Sequence, residues 1–258
     1  MKFSCVTLSY NQTHFLQEAI DSIKLQERDF EYLIYDPGSQ DGSRFVAMRN
    51  QDKCTKVMLV DGDKGPADGL NKSLAELHGD IFYYLNADDV VLPGAFKFVE
   101  QYFLDYPDCD VLHGSINIID FSGAFIKVLP SMKFSLRGYA LGYAVVYQQA
   151  TFIRTRVLKD VRFNIDNRIS WDGELIVDLA INGARIHSTK KVLGEFRIYS
   201  ESITGSSNYK SLARKQHKVI RAKILGRNRT PLEIILASFI RISKAVSRRM
   251  FPRIEYLT

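Results

Sequence analysis

Cysteine is scarce in this 258-residue chain: Cys5, Cys54 and Cys109 are the only three. Thiols odd in number and so widely spaced form neither a disulfide framework nor a zinc-binding spacing, which points to a reducing, cytoplasmic setting. No apolar run is long enough to span a bilayer. The N-terminus has Lys2 but only a short apolar stretch before Asn11 and Gln12, so it reads as a first strand and not as a signal peptide. No Gly-x-Gly-x-x-Gly follows that strand and no Walker-type Gly-Lys-Ser/Thr occurs, which disfavours a dinucleotide dehydrogenase and a P-loop ATPase. The five histidines are scattered and suggest no ligand set. Acid is nearly absent from one region. From Lys210 to Arg253 a dense series of Lys and Arg meets a single carboxylate, Glu233, so the net charge of +6 belongs to the tail.

What is present is a globular composition, 46% hydrophobic and 25% charged, with enough apolar material for a core. Strands are expected at Phe3 to Leu8, Tyr32 to Tyr35 and Val57 to Val60. Each empties into small and acidic residues: Ser9-Tyr10-Asn11, then Asp36-Pro37-Gly38-Ser39-Gln40-Asp41-Gly42, then Asp61-Gly62-Asp63-Lys64-Gly65. Between them Leu16, Ala19, Ile20 and Ile23 recur at helical spacing, with Asn11 or Thr13 as candidate N-cap. Leu70, Leu74 and Leu77 mark a further helix. The central stretch is Gly79 to Asp89, an apolar and aromatic run that stops in Asp88 and Asp89; it predicts a strand buried on both faces. Carboxylates at such a strand end are solvated, paired, holding a cation, or capping the helix that carries Phe96, Val99, Tyr102 and Phe103. Strand–helix alternation of this kind predicts a parallel, Rossmann-like sheet whose ligand cleft lies beyond the carboxyl ends.

After Asp110 the rhythm changes. Strands are expected at Val111 to Gly114, at Ile116 to Phe121 and Phe125 to Leu129 as a hairpin, at Gln148 to Phe152, and at Val192 to Tyr199. The second half is therefore antiparallel or mixed. Trp171-Asp172-Gly173-Glu174 opens a helix ending near Gly183. By themselves, Asp36 and Asp41 also suit turns, Trp171 suits a core position or a sugar face, and Glu174 suits a helix first turn or an acceptor contact.

Taken in order, these motifs resemble the inverting GT-A glycosyltransferases of family 2, from about Phe3 to Thr204. The resemblance implies a mixed α/β GT-A domain over 1–204, with a nucleotide-sugar half at 1–110 and an acceptor half at 111–204. It implies that Thr7, Ser9, Tyr10 and Asn11 line the base pocket beside Gly38 and Ser39. Asp36 would accept the uracil imide proton, favouring a UDP-sugar. Asp63, Lys64, Asp68 and Asn71 would lie along the ribose and sugar. Asn86, Ala87 and Asp88 stand where the family has Asp-x-Asp, with Asp88 as ligand of a divalent manganese or magnesium ion. Asp172 would be the catalytic base, and Gln149, Trp171 and Glu174 would face the acceptor. Tyr199 departs from the family, which often has His after Phe-Arg.

The last part, 205–258, is expected to be a basic helical extension. Thr230-Pro231-Leu232-Glu233 has an N-cap, Pro at the first helical position and Glu at the third. Leu232, Leu236, Phe239, Ile242, Val246 and Met250 share one face, and Arg241, Lys244 and Arg248 fall on the opposite one. Such a helix (230–253) suits docking on its own domain, on a partner or on an anionic membrane surface; no nucleic-acid recognition motif accompanies its charge. The expected activity is metal-assisted transfer of a sugar to a hydroxyl of a glycan or lipid-linked glycan, by a cytoplasmic protein peripheral to the inner face of the membrane. A sugar-1-phosphate nucleotidyltransferase and a catalytically silent sugar-nucleotide-binding protein are the alternatives.

Overall fold

The computed structural model describes residues 1–200 and 210–239. The first half alternates β1 (Phe3–Leu8), α1 (Thr13–Lys24), β2 (Phe30–Asp36), α2 (Ser43–Arg49), β3 (Thr55–Leu59), α3 (Pro66–Leu74) and β4 (Ile81–Asn86). These four strands pair in parallel in the order β3-β2-β1-β4. Helices cover both faces, so β4 is buried from Ile81 through Leu85, as a continuous apolar run requires. β3 starts two residues before the expected Val57 and stops at Leu59.

The N-cap of α1 is neither Asn11 nor Thr13 but Gln12, whose side chain makes no cap bond. Asn11, at φ 52°, uses its side chain elsewhere. Its Oδ1 accepts from the Gln40 amide at 2.9 Å and its own amide donates to Ser39 Oγ at 2.9 Å. The ends of β1 and β2 are thereby stitched together.

The second half comprises β5 (Val90–Val91), α4 (Ala95–Asp105), β6 (Val111–Ile119), β7 (Phe125–Leu129), α5 (Leu136–Leu141), β8 (Thr151–Arg154), α6 (Trp171–Ile181), β9 (Ile186–Arg197) and α7 (Lys210–Leu225). The sheet continues β4-β8-β6-β9-β5, with β7 on β6, and is mixed. The two strands expected on either side of Gly114 are one strand, β6. A Cβ at Gly114 would lie 2.7 Å from the Leu193 side chain and 2.8 Å from the Lys191 carbonyl, so this glycine admits β9 closely and does not break the strand. β9 is correspondingly longer than expected, starting at Ile186.

One topological fact shapes the site. β5 begins four residues after β4 ends, yet lies at the far end of the strand path. Four residues reach at most ~14 Å, so the second half of the sheet curls back and brings β9 to the carboxyl end of β4. Two aromatic-rich clusters fill the faces of the curl. Phe3 stacks on Phe96 at 4.3 Å and Tyr83 on Phe152 at 4.4 Å on one side; Phe82, Tyr84, Phe163 and Trp171 pack on the other.

α7 is anchored by the fully buried Ile220 and packs against α5 and α6. Beyond it residues 231–239 are helical. The expected capping box is formed: Thr230 Oγ1 accepts from the Glu233 amide at 3.3 Å and Glu233 accepts from the Thr230 amide at 2.9 Å. Leu232, Leu236 and Phe239 are 74%, 44% and 68% exposed, so this apolar face is not covered by the body. Ile242, Val246, Met250, Arg241, Lys244 and Arg248 lie outside the described residues.

Candidate active site

The cleft is built at the carboxyl ends of β1, β2 and β4. Asp36 ends β2 and is fully buried. Its Oδ1 accepts from the amides of Gly38 at 3.0 Å and Ser39 at 2.8 Å, and faces Arg44 Nε at 3.4 Å. Its Oδ2 is buried without a hydrogen-bond partner. A buried carboxylate oxygen left unpaired costs free energy unless a ligand donor completes it. Ser9 Oγ is likewise buried and unpaired, while Tyr10 is 60% exposed at the rim. Thr7 points elsewhere: its Oγ1 accepts from the Tyr32 hydroxyl at 2.7 Å inside the core. Asp41 is a turn former, with Oδ1 accepting from the Ser43 amide and hydroxyl and Oδ2 from the Thr13 amide.

The next loop is ordered by its own acids. Asp63 accepts from the Gly65 amide at 2.7 Å, and Asp68 from the Lys64 amide at 3.0 Å and from Lys72 Nζ at 2.9 Å. The Lys64 side chain is exposed. Asn71 is committed to the backbone of Phe163, donating to its carbonyl at 2.9 Å and accepting from its amide at 3.0 Å. It is a brace between the two halves, in place of the donor contact expected of it.

Asp88 and Asp89 do not cap α4, whose N-cap is Gly94. The two differ sharply. Asp89 is buried and structural: Oδ2 accepts from Gln149 Nε2 at 2.9 Å and Asn86 Nδ2 at 3.2 Å, and Oδ1 from the Arg197 amide at 3.1 Å. Asn86 also donates to Gln148 Oε1 at 3.2 Å, and the Ala87 amide donates to the Leu8 carbonyl at 3.1 Å. Burial, then the charge of Asp88, pushes the Asp89 carboxyl well above its ordinary value. Asp88 is half-buried and keeps one oxygen towards the Tyr199 hydroxyl at 3.1 Å. Burial raises its pKa too, against the lowering effect of that hydrogen bond. Tyr199, shifted to about 12 chiefly by burial, also bonds Gln12.

No group of three or more His, Cys, Asp or Glu side chains placed to hold a metal ion is present among the described residues. The donor set nevertheless fits a hard divalent ion that takes most of its oxygens from a diphosphate, since such an ion needs one or two carboxylates from the protein. Asp88 is a carboxylate short of solvent at the end of β4, and a cation there would offset its desolvation.

α6 supplies the third group. Asp172 is half-buried in its first turn and lines a small cleft with Tyr84, Gln148 and Thr151. Burial raises its pKa, partly countered by the Gly173 amide and its own. Glu174 faces the other way. Its oxygens accept from Asn167 Nδ2 at 2.7 Å and Asn164 Nδ2 at 3.1 Å and meet Lys223 Nζ at 3.5 Å, so it is a buried structural hub. Trp171 is a core aromatic, with its ring 5.5 Å from Tyr84 and 5.6 Å from Phe163, and presents no open face for a sugar. Gln149 is occupied by Asp89; its neighbour Gln148 is the one that lines the cleft. A Cβ at Gly173 would sit 2.1 Å from the Tyr139 hydroxyl, so the glycine of the motif lets α5 close on α6.

Reading the sequence missed Arg44, Gln12, Gln148 and the Arg197 fixing of the Asp88 carbonyl (Nε at 2.9 Å). The adjacent pair Gln148-Gln149 carried no signal for which residue faces the cleft, because the two sit in a 3₁₀ turn with no strand alternation to separate them.

Buried carboxylates at the ends of β2 and β4, a third on α6 and a curled mixed sheet define a GT-A-type glycosyltransferase. The chain belongs to glycosyl transferase family 2, whose family model matches residues 4–162. It is 29% identical over 227 residues to an uncharacterized glycosyltransferase of Nostoc, covering 83% of this chain and 68% of that protein. It is 26% identical over 208 residues to the succinoglycan biosynthesis protein ExoU of Rhizobium meliloti, covering 71% and 59%. The fold is similar to that of S. aureus TarS 1-349 in complex with UDP-GlcNAc (TM-score 0.72, 18% identity, 93% of this chain and 72% of that one). It is also similar to a mannosyltransferase of Pyrobaculum calidifontis in complex with GDP-Man and Mn2+ (TM-score 0.65, 16% identity, 95% and 75%). Among the described residues no helix is long and apolar enough to cross a membrane.

Proposed function

We propose that this glycosyltransferase moves a sugar from a UDP-sugar to a hydroxyl of a glycan or lipid-linked glycan, in one displacement that inverts the anomeric centre. The observation that carries the catalytic part is the contrast within Trp-Asp-Gly-Glu. Glu174 is saturated by Asn164, Asn167 and Lys223, whereas Asp172 lines a small cleft with Tyr84, Gln148 and Thr151. A positioned carboxylate there removes the proton from the attacking hydroxyl in the transition state. The UDP reading rests on Asp36, whose unpaired Oδ2 suits the imide N–H of uracil. Ser9, Tyr10, Asn11, Gly38 and Ser39 surround it, and Asp63, Lys64 and Asp68 bear on the ribose and sugar.

Asp88 would hold a divalent ion, manganese or magnesium; when bound, it stabilises the negative charge on the departing diphosphate. Tyr199 and Arg197 keep that carboxylate in place. The exposed apolar face of 231–239, next to a basic α7, suits an anionic membrane surface, where a lipid-linked acceptor would be presented. The UDP-GlcNAc and GDP-Man complexes of the structural neighbours support a nucleotide-sugar donor, and ExoU supports a polysaccharide product.

The test pairs two variants in a transfer assay with a panel of nucleotide sugars and manganese. Asp172→Asn should lose ~10²-fold or more in kcat with UDP affinity unchanged. Glu174→Gln should lower the melting temperature and cost much less transfer than Asp172→Asn. A dead Glu174→Gln beside an active Asp172→Asn, or a product retaining the donor's anomeric configuration, rejects the mechanism.

A further inference from the structure

The C-terminal part looks in sequence like an appendage to a complete catalytic domain. Its contacts say otherwise. Two α7 side chains reach the segment that leads into Asp172, and a third reaches the helix beyond it. Gln216 Oε1 accepts from the Ile169 amide at 3.0 Å. His217 Nε2 lies 3.3 Å from Ser170 Oγ, the residue that opens α6. Lys223 Nζ lies 3.5 Å from Glu174 and in closer contact with Asp178, one and two turns into the same helix.

These contacts converge on one unit. Asn167 Oδ1 accepts from the amides of Ser170 at 2.9 Å and Ile169 at 3.3 Å, while its Nδ2 donates to Glu174 at 2.7 Å. The 164–170 loop is thus folded over the first turn of α6 with Glu174 as hub, and α7 grips the loop and the hub from outside. The N-cap of α6 makes no side-chain cap bond of its own; the Ser170 hydroxyl is turned to His217 instead. A helix start that lacks its own cap takes its direction from whatever holds its flanks. Asp172 is two residues past that start, so its reach into the cleft is set by the clamp.

We infer that Gln216, His217 and Lys223 of α7 are positioning residues for Asp172, and that α7 is integral to catalysis. None of them touches the donor loops described above, so the inference predicts a separation: the chemical step depends on α7 and nucleotide binding does not. It rests on Asp172 as base, and Trp171 provides a readout free of that assumption. Trp171 is the only tryptophan in the chain, is 8% exposed and is the first residue of α6, so its emission reports the position of that turn directly.

The experiment uses the full chain. In Gln216→Ala/Lys223→Met, kcat should fall roughly tenfold with the KM for donor and the Kd for UDP unchanged. Trp171 emission should shift to the red as the first turn loosens. Lys223→Arg alone, which keeps the charge, should restore most of the rate when Gln216 is intact. Lys218→Ala, on an exposed face of α7, controls for surface effects. Unchanged kcat and emission in the double variant overturn the inference, as does a parallel loss of UDP affinity, which would mean general unfolding. A shifted emission in the double variant beside a fully active Asp172→Asn keeps the clamp and discards Asp172 as base, so the two failures are distinct.

Discussion

Asp36 and Asp172 belong to opposite halves of the molecule, and they are held by different means. Asp36 is fixed by amides two and three residues further along its own loop. The first turn of α6 depends on partners as far as 47 and 49 residues away in sequence, on another helix. The Asp36 loop is therefore nearly self-contained, and the first turn of α6 is assembled. A local loop tolerates distant change, because the energy that orients its carboxylate stays within a few residues. An assembled turn offers as many points of adjustment as it has partners.

The sharpest way to break this comparison is Asp88, which belongs to the first half in sequence but is braced by Arg197 and Tyr199 of the second. Asp88→Asn should abolish the metal dependence of UDP binding and reduce turnover by ~10²-fold or more. Calorimetry with manganese and with chelator checks both. A variant with normal turnover that remains chelator-sensitive would remove Asp88 as ligand.

A smaller effect is expected from Asp36→Ala. Leaving the uracil imide without its acceptor should weaken UDP binding roughly tenfold to a hundredfold and flatten the preference over CDP. The emission of Trp171 should stay unchanged if the halves are independent. Equal affinity of the unaltered protein for UDP and CDP would sink the uracil assignment.

The smallest effect is in pH. Burial raises the Asp172 and Asp88 carboxyls above the ordinary aspartate value of 3.8. Both roles need the ionised form, so kcat/KM should rise with pH along an acid limb that lies above 3.8 and flatten towards neutrality. For kcat with saturating donor and metal, Asp88 is already committed and the limb belongs to Asp172. An activity flat down to the ordinary carboxylate range would count against a buried base.

Legibility in the sequence follows the same division. The first half could be read because parallel strands buried on both faces write themselves as apolar runs, and because Asp36 and Asp88 end such runs. Asp41 as a turn former and the Thr230–Glu233 capping box were legible for the same reason: each is a contact between residues two or three apart. Gln149, Asn71, Glu174 and Trp171 were not, because contacts across the curled sheet and with the 164–170 loop decide their roles. Asn71 could serve a ligand or the Phe163 backbone equally well by residue type. The unbroken β6 was hidden by Gly114, whose use depends on how closely β9 approaches from some eighty residues later.

The curl of the sheet also fixes when the site comes into being during synthesis. Asp88 and Asp89 emerge with the first third of the chain. Their brace on Arg197 spans 108 and 109 residues, and the Tyr199 hydroxyl lies 111 residues on. A ribosome delivering the chain from its N-terminus therefore exposes the parallel strands β1 to β4 well before the corner at Asp88 can close. The buried Asp89 carboxyl must wait, solvated, until β9 arrives to cover it. Closing so long a loop is slow relative to pairing β1 with β2. The corner at Asp88 is thus among the last parts of the enzyme to form, and a chain interrupted before β9 carries Asp88 without the means to hold it.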